Sequence, residues 1–296
     1  MLDIFALCAT ILSTLDFASR ALSIQITGKT KIFPIVGDPI ETVVSPPAVN
    51  SWFSDQGLDA VMTPLEIPAR VLPGFWNLLR SSSTFLGCSV TYPHKQAAFA
   101  AVDRRTARAN RLGALNTIRR DADGSLSGEA TDGLALCKAI IETGLTIAGR
   151  SACVIGAGGG AGLAIVDALC EAGIGAVMLE ETDSERCRDA ERLVREHWPA
   201  VRISEFAGHA SLLVNATTLG STPNDPMPFL TEAIAQADCV CDVVGRRNTR
   251  LVRTARGLGR TVVDGRAMGR SQAQSQMPFV VASREEASLS PALEPG

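Results

Sequence analysis

Between Gly156 and Gly162 the chain reads Gly-Ala-Gly-Gly-Gly-Ala-Gly, and this turn joins two segments of opposite habit. Before it, Ser151-Ala-Cys-Val-Ile155 is a short apolar run of the kind that makes a buried strand; after it, Gly162 to Ala172 has helical spacing. A strand that passes through glycines into a helix turns sharply and leaves backbone amides bare at the helix start. Those amides, with the positive end of the helix dipole, suit a pyrophosphate. A strand-to-helix turn with no ligand is the plainer reading of the same residues. The following strand, Ala176-Val-Met-Leu-Glu180, ends in Glu180 and Glu181. A carboxylate roughly twenty residues beyond such a loop can accept from ribose hydroxyls and repel a ribose phosphate. Gly156, Ala157, Gly158, Gly159, Gly160 and Glu181 are therefore the expected dinucleotide contacts, with NAD favoured, and Arg186 close by keeps NADP open.

The rest of the chain repeats this alternation. Lys31 to Val36, Ala60 to Leu65 and Phe85 to Thr91 read as strands, and Val71 to Leu79 has helical spacing. Ser45-Pro-Pro47 opens another helix, with Ser45 as candidate cap and proline in the first turn. Gly133 to Thr143 and the charged stretch Ser184 to Glu196 read as helices. Leu212 to Asn215, Cys239 to Val244 and Thr261 to Val263 read as strands. The pattern predicts an α/β protein with a parallel sheet and right-handed crossovers, and 296 residues leave room for a second domain. The polar, proline-containing tail from Glu285 to Gly296 reads as a loose end.

Composition removes several function classes. A formal charge of −3 and an aromatic content of 5% supply neither the basic field nor the stacking platform of a nucleic-acid binder. The eight cysteines are scattered without a Cys-x-x-Cys pair, and His94, His197 and His209 show no metal-ligand spacing. No metal is expected, and reduced thiols in a cytoplasm fit better than a disulfide scaffold. The apolar N-terminus is interrupted by Asp3, Asp16 and Arg20, so it reads as an amphipathic helix or an extension, with no membrane span. A small molecule is the expected partner, and a homodimer stays open as the assembly.

Four further segments share an order and spacing. They are Gly37-Asp-Pro-Ile-Glu-Thr-Val-Val-Ser-Pro46; Gly87-Cys-Ser-Val-Thr-Tyr-Pro-His-Lys95; Gly113-Ala-Leu-Asn-Thr-Ile118 with Ala130-Thr-Asp-Gly133; and Gly265-Arg-Ala-Met-Gly-Arg-Ser-Gln272. With the glycine loop, they resemble the shikimate dehydrogenase family from about Lys31 to Phe279. The resemblance implies a Rossmann-type dinucleotide domain, 132–266, inserted in a discontinuous α/β substrate domain, 1–131 with 267–296. It implies an NAD(P)-dependent oxidoreductase that interconverts a ring hydroxyl and a ketone on a shikimate-like or quinate-like acid. Lys95 and Asp132 fall on the family's chemical pair. Ser45, Thr91, Asn116 and Gln272 fall on its substrate contacts, and Asn215, Thr217 and Met268 lie toward the nicotinamide. Taken singly, Lys95 is a surface lysine after a turn, Asp132 and Ser45 are helix caps, and Met268 is core.

The departures concern the substrate pocket. Val43 stands where the family has the first of two serines, Ser89 replaces the asparagine of Asn-Val-Thr, and Ala130 replaces that of Asn-Thr-Asp-Gly. The tyrosine expected after Asp242-Val-Val244 is absent. A dehydrogenase for another or an amino-substituted ring acid, or a catalytically silent ligand sensor, is the alternative that these losses leave open.

Overall fold

The computed structural model describes residues 25–245, 248–282 and 289–291. The expected N-terminal helix, and Arg246 and Arg247 beyond Gly245, lie outside the described residues. The first half of the chain runs β1 (Lys31–Ile32), β2 (Ile35–Gly37), α1 (Pro46–Asp55), β3 (Ala60–Val61), β4 (Pro64–Glu66) and α2 (Leu72–Ser81). It continues through β5 (Gly87–Val90), α3 (Lys95–Ala101), β6 (Arg104–Thr106), α4 (Ala107–Leu112), β7 (Thr117–Arg120), β8 (Leu126–Glu129) and α5 (Asp132–Glu142). The second half begins with β9 (Ser151–Ile155), α6 (Gly160–Glu171), β10 (Ala176–Glu180), α7 (Ser184–His197), β11 (Arg202–Ile203) and β12 (Leu212–Asn215). It ends with α8 (Thr231–Gln236), β13 (Cys239–Asp242), α9 (Arg250–Gly257), β14 (Thr261–Asp264), α10 (Gly265–Val281) and β15 (Leu289–Pro291).

The later strands form a six-stranded parallel sheet in the order β11-β10-β9-β12-β13-β14. The order reverses between β9 and β12, and in open parallel sheets ligands bind at the strand ends beside that reversal. The glycine turn leaves β9 there. Six of the earlier strands and β15 form a seven-stranded mixed sheet, β15-β6-β8-β7-β5-β2-β4, while β1 and β3 pair in parallel as a separate two-stranded sheet. The fold is thus α/β, a Rossmann-type sheet beside a second α/β layer, as the sequence predicts.

Three local differences have physical causes. The hairpin β7–β8 goes unread in the sequence pattern because Arg119 and Arg120 break its apolar alternation; Arg119 is buried nonetheless, with Nε donating to Asp121 at 2.8 Å. The Asp123-Gly124 dipeptide between the two strands was its turn signal. Leu289–Pro291, expected within a loose tail, pairs antiparallel with β6. Ser45 occupies the position before α1, but its backbone is helical (ψ −29°) and its side chain makes no cap bond. With prolines in the first two helical positions there are fewer amides to cap.

Leu136 and Ile140 of α5 pack with Ile165 and Leu169 of α6, all fully buried. Each contributes roughly 1.5–3 kcal/mol relative to exposure. This seam holds the start of α5 in place.

Candidate active site

One edge of the seven-stranded sheet gathers the polar residues. β2 and β5 are parallel, β7 runs against β5, and β8 runs against β7. The ends of β2, β5 and β8 and the start of β7 therefore share an edge. Ser45 follows β2, Thr91 and Lys95 follow β5, Asn116 precedes β7, and Asp132 follows β8. Lys95 and Asp132 form an ion pair, and both side chains are largely shielded from solvent. Asp132 Oδ1 also accepts from Asn116 Nδ2 and Gln272 Nε2, each at 2.8 Å. Asp132 is not the cap of its helix, which is Thr131, but its first residue. Asn116 Oδ1 in turn accepts from Thr131 N at 2.6 Å, so the amide fixes both residues at the helix start. His94, a residue the motif reading passed over, is buried and donates through Nε2 to Ile67 O at 2.6 Å, which anchors the turn before Lys95.

The opposite wall is one face of α10. Met268, Gln272 and Gln276 recur every fourth residue and line a cleft of about 270 Å³ with Ser45, Thr91, Lys95, Asn116 and Asp132. Val43, Val44, Ser89 and Gly245 line it too, so three of the four departures from the family pattern fall on this surface, while Ala130 is buried in a hydrophobic cluster and does not line it. Among the described lining residues Lys95 is the sole cation and Asp132 the sole anion. Gln276 was not read from the sequence. Its Nε2 donates to Ser89 Oγ at 3.0 Å, so an amide stands again where Ser89 has lost one.

The dinucleotide side is built on the reversal of strand order. Gly156 has φ +80°, and a Cβ there would lie 2.7 Å from Thr217 Cγ2, so only glycine fits between the two loops. Glu181 accepts from Gly158 N at 3.2 Å, Thr182 N at 2.9 Å and Asp183 N at 3.2 Å. Its carboxylate thus closes one side of the glycine loop. Gly159 caps α6 and Gly160 opens it, while the amides of Gly156 and Ala157 both donate to Glu180 O. Arg186 is mostly exposed and faces Asp183 at 3.9 Å.

Asn215 and Thr217 are used inside their own loop. Asn215 Nδ2 donates to Leu219 O at 2.9 Å and to Asp242 Oδ1 at 3.0 Å, while its Oδ1 accepts from Thr217 Oγ1 at 2.7 Å. Neither side chain lines the cleft. Asp242 also accepts from Thr249 Oγ1, and burial pushes its carboxyl above the usual range. These side chains shape the turn.

Among the described residues no group of histidine, cysteine and acidic side chains could hold a metal, and no helix is long and apolar enough to cross a membrane. The described cysteines are free, and burial pushes the Cys137, Cys153 and Cys170 thiols up to about 12.

A family model for the shikimate dehydrogenase substrate binding domain matches residues 35–118. A shikimate dehydrogenase (NADP(+)) from Rubrobacter xylanophilus is 38% identical over 252 residues, 82% of this chain and 88% of the relative. The chain belongs to the shikimate dehydrogenase family. It is an oxidoreductase of that type. Two solved family members share the fold. Shikimate 5-dehydrogenase from Thermus thermophilus, in complex with NADP(H) and shikimate, has TM-score 0.73 and 29% identity, covering 85% of this chain and 94% of that one. The enzyme from Listeria monocytogenes, in complex with shikimate and NAD, has TM-score 0.74 and 25% identity, covering 84% and 91%.

Proposed function

We propose that the cleft oxidises a ring hydroxyl of a shikimate-like or quinate-like cyclic hydroxy-acid, as in shikimate + NAD(P) to 3-dehydroshikimate + NAD(P)H. The observation that carries this reading is the Lys95–Asp132 pair, in a small cleft lined also by Met268 and by Ala161 at the start of α6. A nicotinamide dinucleotide, when bound, supplies the acceptor for the hydride of the carbinol carbon. Lys95 as the neutral amine takes the hydroxyl proton while the ketone forms, which leaves the ammonium paired with Asp132, and the ammonium returns the proton in the reverse direction. Asp132, held by Asn116 and Gln272, orients the amine and fixes the hydroxyl beside it. Ser45 and Thr91 offer hydroxyls to the rest of the substrate. The residues present fit a dinucleotide: a glycine turn that leads from a strand into a helix start, with Glu181 beside the expected ribose position.

On this reading 1–131 with 267–296 form the substrate part and 132–266 the dinucleotide part. Sheet membership supports the division. The glutamate at the ribose position favours NAD over NADP, unlike the NADP(+) of the relative's name. Buried, unpaired thiols fit a cytoplasmic setting.

The deciding experiment is NAD(P)H absorbance with a panel of ring acids. Turnover by the wild type supports the reading and rejects a silent sensor. Lys95→Ala should lower kcat about 10²–10⁴-fold with dinucleotide binding unchanged. A variant that keeps most of its turnover removes Lys95 from the chemistry.

A further inference from the structure

Among the described residues, the buried side-chain acceptors without a hydrogen-bond donor are two: Oε1 of Gln272 and Oε1 of Gln276. Both belong to the same face of α10 and both residues line the cleft. Each amide is anchored through Nε2, Gln272 on Asp132 and Gln276 on Ser89, so its orientation is set from the protein side. Gln276 is 1% exposed, and its anchor Ser89 is 3% exposed. Ser89 sits opposite Ile35 in the β2–β5 register and opposite Thr117 in the β5–β7 register, and its Oγ donates to Asn116 O at 3.4 Å. A buried carbonyl oxygen left without a donor is a standing cost to the fold, and such groups in native proteins call for a partner. Here both glutamines line the cleft in which the proposed substrate would lie.

We propose that Gln276, held by Ser89, forms a subsite for a hydrogen-bond donor on the substrate, a hydroxyl or an amino group. The donor lies about one helical turn, ~5.4 Å, from the substituent that Gln272 meets. That separation matches two substituents placed across a six-membered carbon ring. The inference rests on the reading of the cleft as a ring-acid oxidoreductase site and adds which substituent pattern it selects. The shorter Ser89 leaves room for the longer Gln276, so the donor-reading atom enters from α10.

The test uses the full-length wild type, Gln276→Met and Gln276→Glu. The ligands are shikimate, ring acids lacking one hydroxyl at a time, and an amino-substituted ring acid. Binding is measured by calorimetry and turnover by NAD(P)H absorbance. One deoxy acid should bind the wild type about tenfold to a hundredfold more weakly than its parent, a comparison that needs no variant. Gln276→Met should raise KM for the parent by a similar factor with kcat nearly unchanged, and should leave the affinity for that deoxy acid as it was. Gln276→Glu keeps an acceptor and should retain binding of the parent; tighter binding of the amino acid analogue would identify the amine as the preferred donor. The proposal is overturned if no single deoxy acid is penalised in the wild type, or if Gln276→Glu loses binding as Gln276→Met does, since the amide would then be donating to a substrate carboxylate. If ring acids bind with this discrimination but none is oxidised, the enzymatic reading fails and the subsite stands. If none binds, both fail.

Discussion

At Val43 a methyl-bearing side chain faces the cleft where a serine hydroxyl stands in the family pattern, and only Ser45 remains of that pair. A substrate carboxylate left one donor short loses on the order of 1–3 kcal/mol. Wild-type efficiency on shikimate is therefore expected to fall roughly a hundredfold below that of a typical family member, once the missing tyrosine is included. Val43→Ser should recover about tenfold in kcat/KM for shikimate. No gain from that substitution would place the carboxylate elsewhere. Glu181 is the second residue with a single measurable consequence. Its carboxylate sits against the amides of Gly158, Thr182 and Asp183, where a ribose phosphate would be repelled. The wild type should use NAD more efficiently, and Glu181→Ala should narrow the NAD-to-NADP ratio of kcat/KM about tenfold. Equal efficiency in the wild type would show Arg186 recruiting the phosphate. Lys95 and Asp132 were legible because each lies within a short, ordered motif. Gln276 was not, because a glutamine on a helix carries no local mark of what it faces.

Helix α5 begins with the catalytic candidate Asp132, and its next residue lies against α6. A Cβ on Gly133 would run into the backbone of Ala164 and come within 2.7 Å of Ala168 Cβ. Gly133→Ala must push the start of α5 away from α6, and overpacking of this kind costs about 1–3 kcal/mol. The expected result is a lower Tm together with a fall in kcat, because Asp132 moves with the helix start; dinucleotide affinity should change little. A loss of Tm with kcat intact would separate the helix contact from the position of Asp132. The element types here follow from local pattern: β9, β10 and β12 fall where the apolar runs place them. The β7–β8 hairpin did not, since Arg119 and Arg120 break its apolar alternation, although Arg119 is buried against Asp121 two residues on.

Across the whole molecule, the two sheets are tied by a buried charge cluster. Asp167 of α6 is fully buried and accepts from Arg111 of α4 through Nε and Nη2, both at 3.0 Å, and from Trp198 Nε1 at 2.9 Å. Arg108 lies 3.7 Å away and also meets Glu129 and Glu171. Arg111→Met should cost about 3 kcal/mol in urea unfolding, since a buried carboxylate loses its main partner. Pairing it with Asp167→Leu should return much of that loss; no recovery would mean that Arg111 acts mainly by packing on Trp198. The glycine turn and the strand–helix alternation are properties of neighbouring residues, so the α/β class could be read along the chain, and the pairing of Lys95 with Asp132 was implied by the family resemblance that the ordered motifs carry. The cleft could not. Gln276 meets Ser89 across 187 positions, Gln272 meets Asp132 across 140, and Arg111 meets Asp167 across 56. Such pairs exist only once sheets and helices have packed, because hydrogen bonds and ion pairs act over a few ångströms and leave no period in the sequence.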